Sequence, residues 1–332
     1  MRIIEVITDH GHVDTLRGIA EQQEILDVWV GQTDEDGRCS TRLLVNPEKQ
    51  QVVMDALQSV LGKMENSRIL VLPVEASLPR VEEKVNEEEK TSSITRSREE
   101  LYQNIESGTN LNRNFVMMVI MSTIVAAIGL LEDNVAVVIG AMVIAPLLGP
   151  NIALAFATTL GDSKLLWSAF KANITGLLIA LTLSAFIGLI WPLNFNSHEL
   201  IARTDVGMDG IVLALVSGAA AVLSMTTGLS GALVGVMVAV AILPPTATLG
   251  LMLGAGNYQH ALGAGLLLGV NIVCVNLAAN ISFLMKGIKP RTWFEKKKAK
   301  QSLTVFVLFW VVVLMFLIMA VQLRHQFLEV VL

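Results

Sequence analysis

The chain has 332 residues, 53% of them hydrophobic and only 16% charged, with a formal net charge of −5. Residues 211–285 contain no Asp, Glu, Lys or Arg. A soluble core of that length would need charged surface positions throughout, whereas one membrane span needs only about 20 apolar residues, so a wholly water-soluble protein is excluded.

Cys39 and Cys274 stand far apart, which leaves neither a disulfide framework nor a CxxC metal site. The opening MRIIEVITDHGH lacks the basic start and long apolar run of a signal peptide, so the amino terminus is expected in the cytoplasm.

Residues 1–76 read as a small α+β domain. The β-branched run 2–7 predicts a strand, and residues 13–23 a helix with Leu16 and Ile19 on its buried face. Residues 25–30 and 40–45 predict strands around the turn at Asp34 to Gly37. An amphipathic helix over 47–64 and a strand over 68–73 complete a βαββαβ order, the pattern of a ferredoxin-like sandwich, which many functions share. Residues 77–112 form a Glu-rich charged linker and a short helix through Leu101, Tyr102 and Ile105, opened by a capping box at Ser97 and placed at the membrane surface.

A polytopic helical bundle follows, with spans predicted over 114–131, 135–160, 166–191, 209–225, 229–253, 261–285 and 303–323. The basic loop 286–300, with Lys286, Lys289, Arg291, Lys296, Lys297, Lys298 and Lys300, is assigned to the cytoplasm. Counting back places Lys164 inside, Glu132 and Asp133 outside and the carboxyl terminus outside, in the inner (cytoplasmic) membrane.

A shift of about 95 residues lays Gly140-Ala-Met-Val143 over Gly235-Val-Met-Val238, Pro150 over Pro245 and Gly161 over Gly256. Regions 113–191 and 209–285 are therefore read as transmembrane repeats of three spans each. An odd number of spans inverts the second copy relative to the first. Residues 286–332 supply the basic loop and a last, lipid-facing span outside the duplication.

Two segments concentrate the functional signal: Ile139 to Asn151 and Gly235 to Thr246, each with two prolines inside a span. Proline removes a backbone donor and obstructs the preceding turn, so an interrupted helix is expected at the same place in both repeats. The freed groups must then face protein or a water-filled cavity. Pro146, Gly149, Pro150 and Asn151 in one repeat, with Pro244, Pro245 and Thr246 in the other, are the candidate substrate-binding residues. Asn276 and Asn280, one turn apart on one helix face, join them.

Other buried amides and hydroxyls, among them Thr158, Thr159, Asn173 and Asn271, are read as interhelical bonds. No carboxylate falls in mid-span, which argues against a carboxylate-based proton pump. Lys171 reads as an interfacial lysine and His10 with His12 as loop residues. No nucleophile elbow, HExxH or phosphate loop is present, so neither an enzyme nor a metal or cofactor site is expected.

Ser97-Arg-Glu-Glu-Leu-Tyr102, Ser122-Thr-Ile-Val-Ala-Ala-Ile-Gly-Leu130, the stretch from Asn134 to Asn151 and Ala241-Ile-Leu-Pro-Pro245 resemble a prokaryotic membrane family labelled only as domain of unknown function 389. The resemblance covers about residues 97–285. It implies a multi-span bundle, and the preceding soluble domain fits one subgroup; it implies no substrate.

Together these features point to a transporter or channel for a small solute, an anion or a polar neutral molecule, regulated by the cytoplasmic domain. The alternative is a membrane-anchored sensor or scaffold that signals through the ferredoxin-like domain. Membrane lipid and the solute are the expected partners. A homo-oligomer and a small effector at the soluble domain fit the pattern, and nucleic acid does not.

Overall fold

The computed structural model describes the chain except for residues 47, 48, 63, 65, 75–97, 192–196, 228–230, 289–292 and 332, and the side chains of 231–240, 293–303, 325 and 327–331. The Glu-rich linker and the capping serine Ser97 lie outside the described residues. Two compact units result, Met1–Glu100 and Leu101–Leu332.

In the first unit, β1 (Arg2–Asp9), α1 (Val13–Gln22), β2 (Asp27–Thr33), β3 (Arg38–Val45), α2 (Gln50–Leu61) and β4 (Arg68–Pro73) follow one another. The sheet order is β2-β3-β1-β4, with β1 antiparallel to both β3 and β4. Alternation along β1 and β3 sends Ile4, Val6, Leu43 and Val45 to one face, where they form a core with Leu16 of α1 and Val53 and Leu57 of α2. On the other face Glu5 accepts from Ser40 Oγ at 2.6 Å and Arg42 Nε at 2.9 Å. Those bonds hold its carboxyl below the usual carboxylate range. Strand β2 starts two residues later than the sequence indicates, because Ile25 still closes α1 by donating to Ala20 O at 3.0 Å.

The second unit is helical. Its first element, α3 (Arg98–Ser107), carries the boundary between the units. There follow α4 (Arg113–Leu131), α5 (Val135–Ile144), α6 (Leu148–Leu160), α7 (Ser163–Ile190), the short α8 (His198–Ala202), α9 (Met208–Thr227), α10 (Gly231–Gly254), α11 (Tyr258–Met285) and α12 (Trp293–Val331). Among the described residues, α4, α7, α9, α11 and the Thr304–Arg324 part of α12 are each long and apolar enough to cross a membrane; the pair α5 and α6, bent by 54°, passes the same test jointly. In α10 the described apolar stretch is Ala241–Gly254. This is a multi-pass membrane protein.

Helix starts are set by caps rather than by the onset of hydrophobicity. Asp162 Oδ1 accepts from the backbone amides of Lys164 and Leu165, and Asn257 Oδ1 from that of His260. Consequently α7 and α11 begin at Ser163 and Tyr258, three residues before the apolar runs that mark the spans in the sequence. Each is 28 residues, about 42 Å long at 1.5 Å per residue. Residues 293–300, expected within a basic loop, are helical and belong to the 39-residue α12. Lysine runs have good helix propensity, which hydropathy does not register.

Polar contacts mark the two ends of the bundle. At one end Tyr102 Oη donates to Asp162 Oδ2 at 2.8 Å, and Thr109 Oγ1 lies 3.2 Å from Ser168 Oγ. At the other Ser197 Oγ donates to Leu130 O at 2.6 Å, and the Glu199 amide to Asp133 Oδ1 at 2.7 Å. The chain thus leaves α4 at one end and enters α7 at the opposite end. The bent pair α5–α6 traverses the bundle rather than turning back. The helix α3 buries Leu101 and Ile105, and Tyr102 lies 6.3 Å from Phe156 between ring centroids.

Candidate functional site

The two proline segments behave differently. Ala145, which precedes Pro146, takes an extended conformation (φ −65°, ψ 120°) and ends α5, as the clash between a proline ring and the preceding residue favours. Pro150 is the third residue of α6, where backbone amides have no intrahelical acceptor, so it costs that helix nothing. The second interruption expected from the sequence does not occur: α10 runs continuously through Pro244 and Pro245.

The reason lies on α11. Pro245 deprives Ala241 O of its intrahelical donor, and Asn271 Nδ2 supplies a replacement at 2.8 Å. At the position about 95 residues earlier stands Gly176, which has no donor to offer and packs against Leu147 and Phe115.

Asn151, on the first turns of α6, is the centre of a buried amide chain. Its Nδ2 donates to Leu147 O at 3.2 Å and to Asn173 Oδ1 on α7 at 3.0 Å. Its Oδ1 accepts from Asn276 Nδ2 on α11 at 3.2 Å. Asn276 Nδ2 also donates to Ile272 O at 2.8 Å, which fixes the orientation of that amide.

One turn along α11, Asn280 Oδ1 receives Thr158 Oγ1 at 2.6 Å and Thr159 Oγ1 at 3.2 Å, both from α6. Each threonine hydroxyl also lies within reach of Ala155 O. The seam between α6 and α11 is therefore lined by amides and hydroxyls. Asn151 is 1% exposed and Asn276 and Asn280 are 0% exposed. Two polar atoms in it, Asn276 Oδ1 and Asn280 Nδ2, are buried with no hydrogen-bond partner among the described residues.

Of the nine residues singled out in the sequence, Asn151, Asn276 and Asn280 meet in this seam. Pro150 is buried in α6, Pro244 and Pro245 are buried in α10, outside the seam on a helix that packs on α11, and Pro146 is half-buried at the bend. Gly149 serves close approach: a Cβ there would stand 2.9 Å from Gly108 O. Thr246, placed by its register match with Asn151, gives its hydroxyl to Ile242 O of its own helix at 2.7 Å.

Thr158, Thr159 and Asn173 complete the seam, although the sequence marks them only as ordinary buried polar groups. Their one available signal was location on the helices adjoining the proline segments. Lys171 lies outside the seam, its Nζ 5.5 Å from the Trp167 ring centroid.

A family profile described as "Domain of unknown function (DUF389)" matches residues 142–277, which include Asn151, Asn271 and Asn276. An uncharacterized protein of Methanocaldococcus jannaschii is 35% identical over 295 residues, covering 89% of this chain and 91% of its own length. No solved structure matches the chain. With that extent of identity, and with the proline segments and amide seam inside or beside the matched region, the chain belongs to the membrane-protein family described as domain of unknown function 389.

Proposed function

We propose that this protein is a transporter or channel for a small solute, an anion or a polar neutral molecule, bound between α6 and α11. The observation that carries the reading is the unpaired pair Asn276 Oδ1 and Asn280 Nδ2. Leaving polar atoms unpaired inside a bundle costs on the order of 1–3 kcal/mol each, so a water or a small polar solute bound there would be stabilised.

An inverted duplication fits the same reading. Helices α7 and α11 have equal lengths and begin and end about 95 residues apart. Each follows a left-handed glycine, Gly161 (φ 69°) or Gly256 (φ 74°), and a capping Asp162 or Asn257. Helices α7 and α11 each pack on both α6 and α10, so each contacts both proline-bearing segments. Arg324 Nη1 donates to Thr204 O at 3.0 Å beside Gly263, which places the start of α9 with the start of α11. That segment also includes Ser197, bonded to the end of α4, so α9 begins where α4 finishes, as an inverted copy does.

The first unit, with its split βαβ strand order, is read as a ferredoxin-like regulatory domain on the cytoplasmic side. Basic residues between α11 and α12 support that orientation.

The test is a flux screen on the purified full chain in liposomes, with chloride, nitrate, phosphate, urea and glycerol as probes. At least one should cross faster than in protein-free vesicles. No acceleration of any probe would overturn the transport reading.

A further inference from the structure

We propose that a groove between α10 and α11 binds one acyl chain of a membrane phospholipid, in the leaflet where α11 begins. Such a site is independent of the transport reading above.

The groove has a volume of about 440 Å³, enough for a small ligand. Leu249 and Leu253 of α10 form one wall, and Ala261, Leu262, Gly265 and Leu266 of α11 form the other, with Tyr258 at the start of α11. These α11 positions recur at the three- and four-residue spacing of a single helix face. Apart from the Tyr258 hydroxyl, the lining side chains carry no hydrogen-bonding atom, so water has no side chain to hold it there.

Position, depth and width all single out an acyl chain. The rim is open, with Leu262 59% exposed and Leu253 38% exposed. It belongs to a helix long and apolar enough to cross a membrane, so hydrocarbon is the medium against it. Tyr258, 72% exposed, is the first residue of α11 and directly follows the capping Asn257, the place of a tyrosine at headgroup level. From Tyr258 to Leu266 the helix rises about 12 Å. The groove therefore runs from the headgroups into the hydrocarbon, the course that a lipid tail takes. At its floor the walls meet, since a Cβ on Gly265 would stand 3.7 Å from Leu249 Cδ1. A helix of a second copy, about 10–12 Å across with its side chains, is too wide to enter, whereas a single chain is not.

The opening is not forced by the fold. About 95 residues earlier, Trp167 and Phe170 stand at the positions of Leu262 and Gly265, and their rings stack at 5.6 Å between centroids. Helix α7 carries rings where α11 leaves room.

The experiment uses the full chain in detergent with a small molar excess of phosphatidylcholine that carries a diazirine on one acyl chain. Irradiation, digestion and mass spectrometry then locate the adducts. Contact between helix and lipid is a matter of van der Waals packing, and a groove packs a chain on several sides where an open helix face packs it on one. Adducts at Leu253, Leu262 and Leu266 should accordingly exceed those at Val312 and Met315, exposed on α12, several-fold, and unlabelled phosphatidylcholine should chase them. Gly265→Phe, which gives α11 the ring that α7 has, should bring the groove adducts down to the α12 level. Gly140→Ala, where an added Cβ meets nothing within 4 Å, should leave them unchanged.

Equal labelling of the two faces would overturn the proposal, as would groove adducts that a folded Gly265→Phe protein retains. Disulfide-linked dimers of a Leu262→Cys variant, without lipid adducts, would overturn it in favour of a second copy on this face. Should Gly265→Phe fail to fold, the contrast between the two faces of the unaltered protein still decides.

Discussion

Asn276 on α11 donates from Nδ2 to Oδ1 of Asn151 on α6 across 3.2 Å, although the two residues stand 125 positions apart in the chain. The bond joins the helix that starts after the proline bend to the helix with the most enclosed apolar window, 67% buried. Membrane interhelical hydrogen bonds are individually modest, but this one is shared with Asn173 and orders three helices at once.

A double-mutant cycle measures that bond. Asn151→Ala and Asn276→Ala should each destabilise the detergent-solubilised protein by about 1–2 kcal/mol, with a coupling of about 0.6–1.7 kcal/mol in the double variant. Unfolding followed by circular dichroism provides the numbers. Strictly additive losses would mean that the two amides do not interact.

Small residues set the packing of α7 against α10. A Cβ on Gly188 would overlap Leu251 O, and one on Gly254 would overlap Ala185 O. Gly188→Val or Gly254→Val should therefore cost several-fold in the yield of monodisperse protein on size-exclusion chromatography. Gly140→Ala should cost nothing, since its added methyl faces open space. Equal yields for all three would show that the helices part freely.

The bond from Tyr102 to Asp162 carries a pH signature. Burial, and then the Asp162 carboxylate, push the phenol up to about 12 from its ordinary value of 10. A phenol whose folded pKa is raised contributes stability that is complete below the unfolded value and lost as pH rises through the folded one. Tyr102→Phe should accordingly lower the Tm at neutral pH, and the difference from the unaltered protein should shrink between about pH 10 and 12. Thermal scans across that range check it; a gap that persists above pH 12 would point to lost packing instead.

Topology is open to direct labelling. Cys39 and Cys274 are both buried, so background reaction with an impermeant maleimide should be low. Glu132→Cys should label on intact cells, and Lys164→Cys only after permeabilisation. Labelling of position 164 from outside would reverse the proposed orientation or break the inverted repeat.

How much of this was legible in the sequence differs from one element to the next. Strand β4 was placed to the residue, because the run from Arg68 to Pro73 is bounded by polar residues and a proline. The helix over Val13–Gln22 followed from the spacing of Leu16 and Ile19. The membrane bundle followed from charge-free length alone. The starts of α7 and α11 were missed by three residues because Asp162 and Asn257 act through backbone amides, and hydropathy is blind to caps.

The sequence by itself determined where each helix had to seek lipid or protein, since apolar length and proline position are local properties of the chain. It marked Asn151, Asn276 and Asn280, polar groups in apolar helices, as candidate substrate-binding residues. Which partners they found was decided by tertiary structure. Proline chemistry made the segments around Pro146 and Pro245 look alike, yet only the first is broken. The carbonyl that Pro245 strands is met by Asn271, a donor 30 residues away on the next helix. A hydrogen bond made across helices depends on packing, and no local pattern records it.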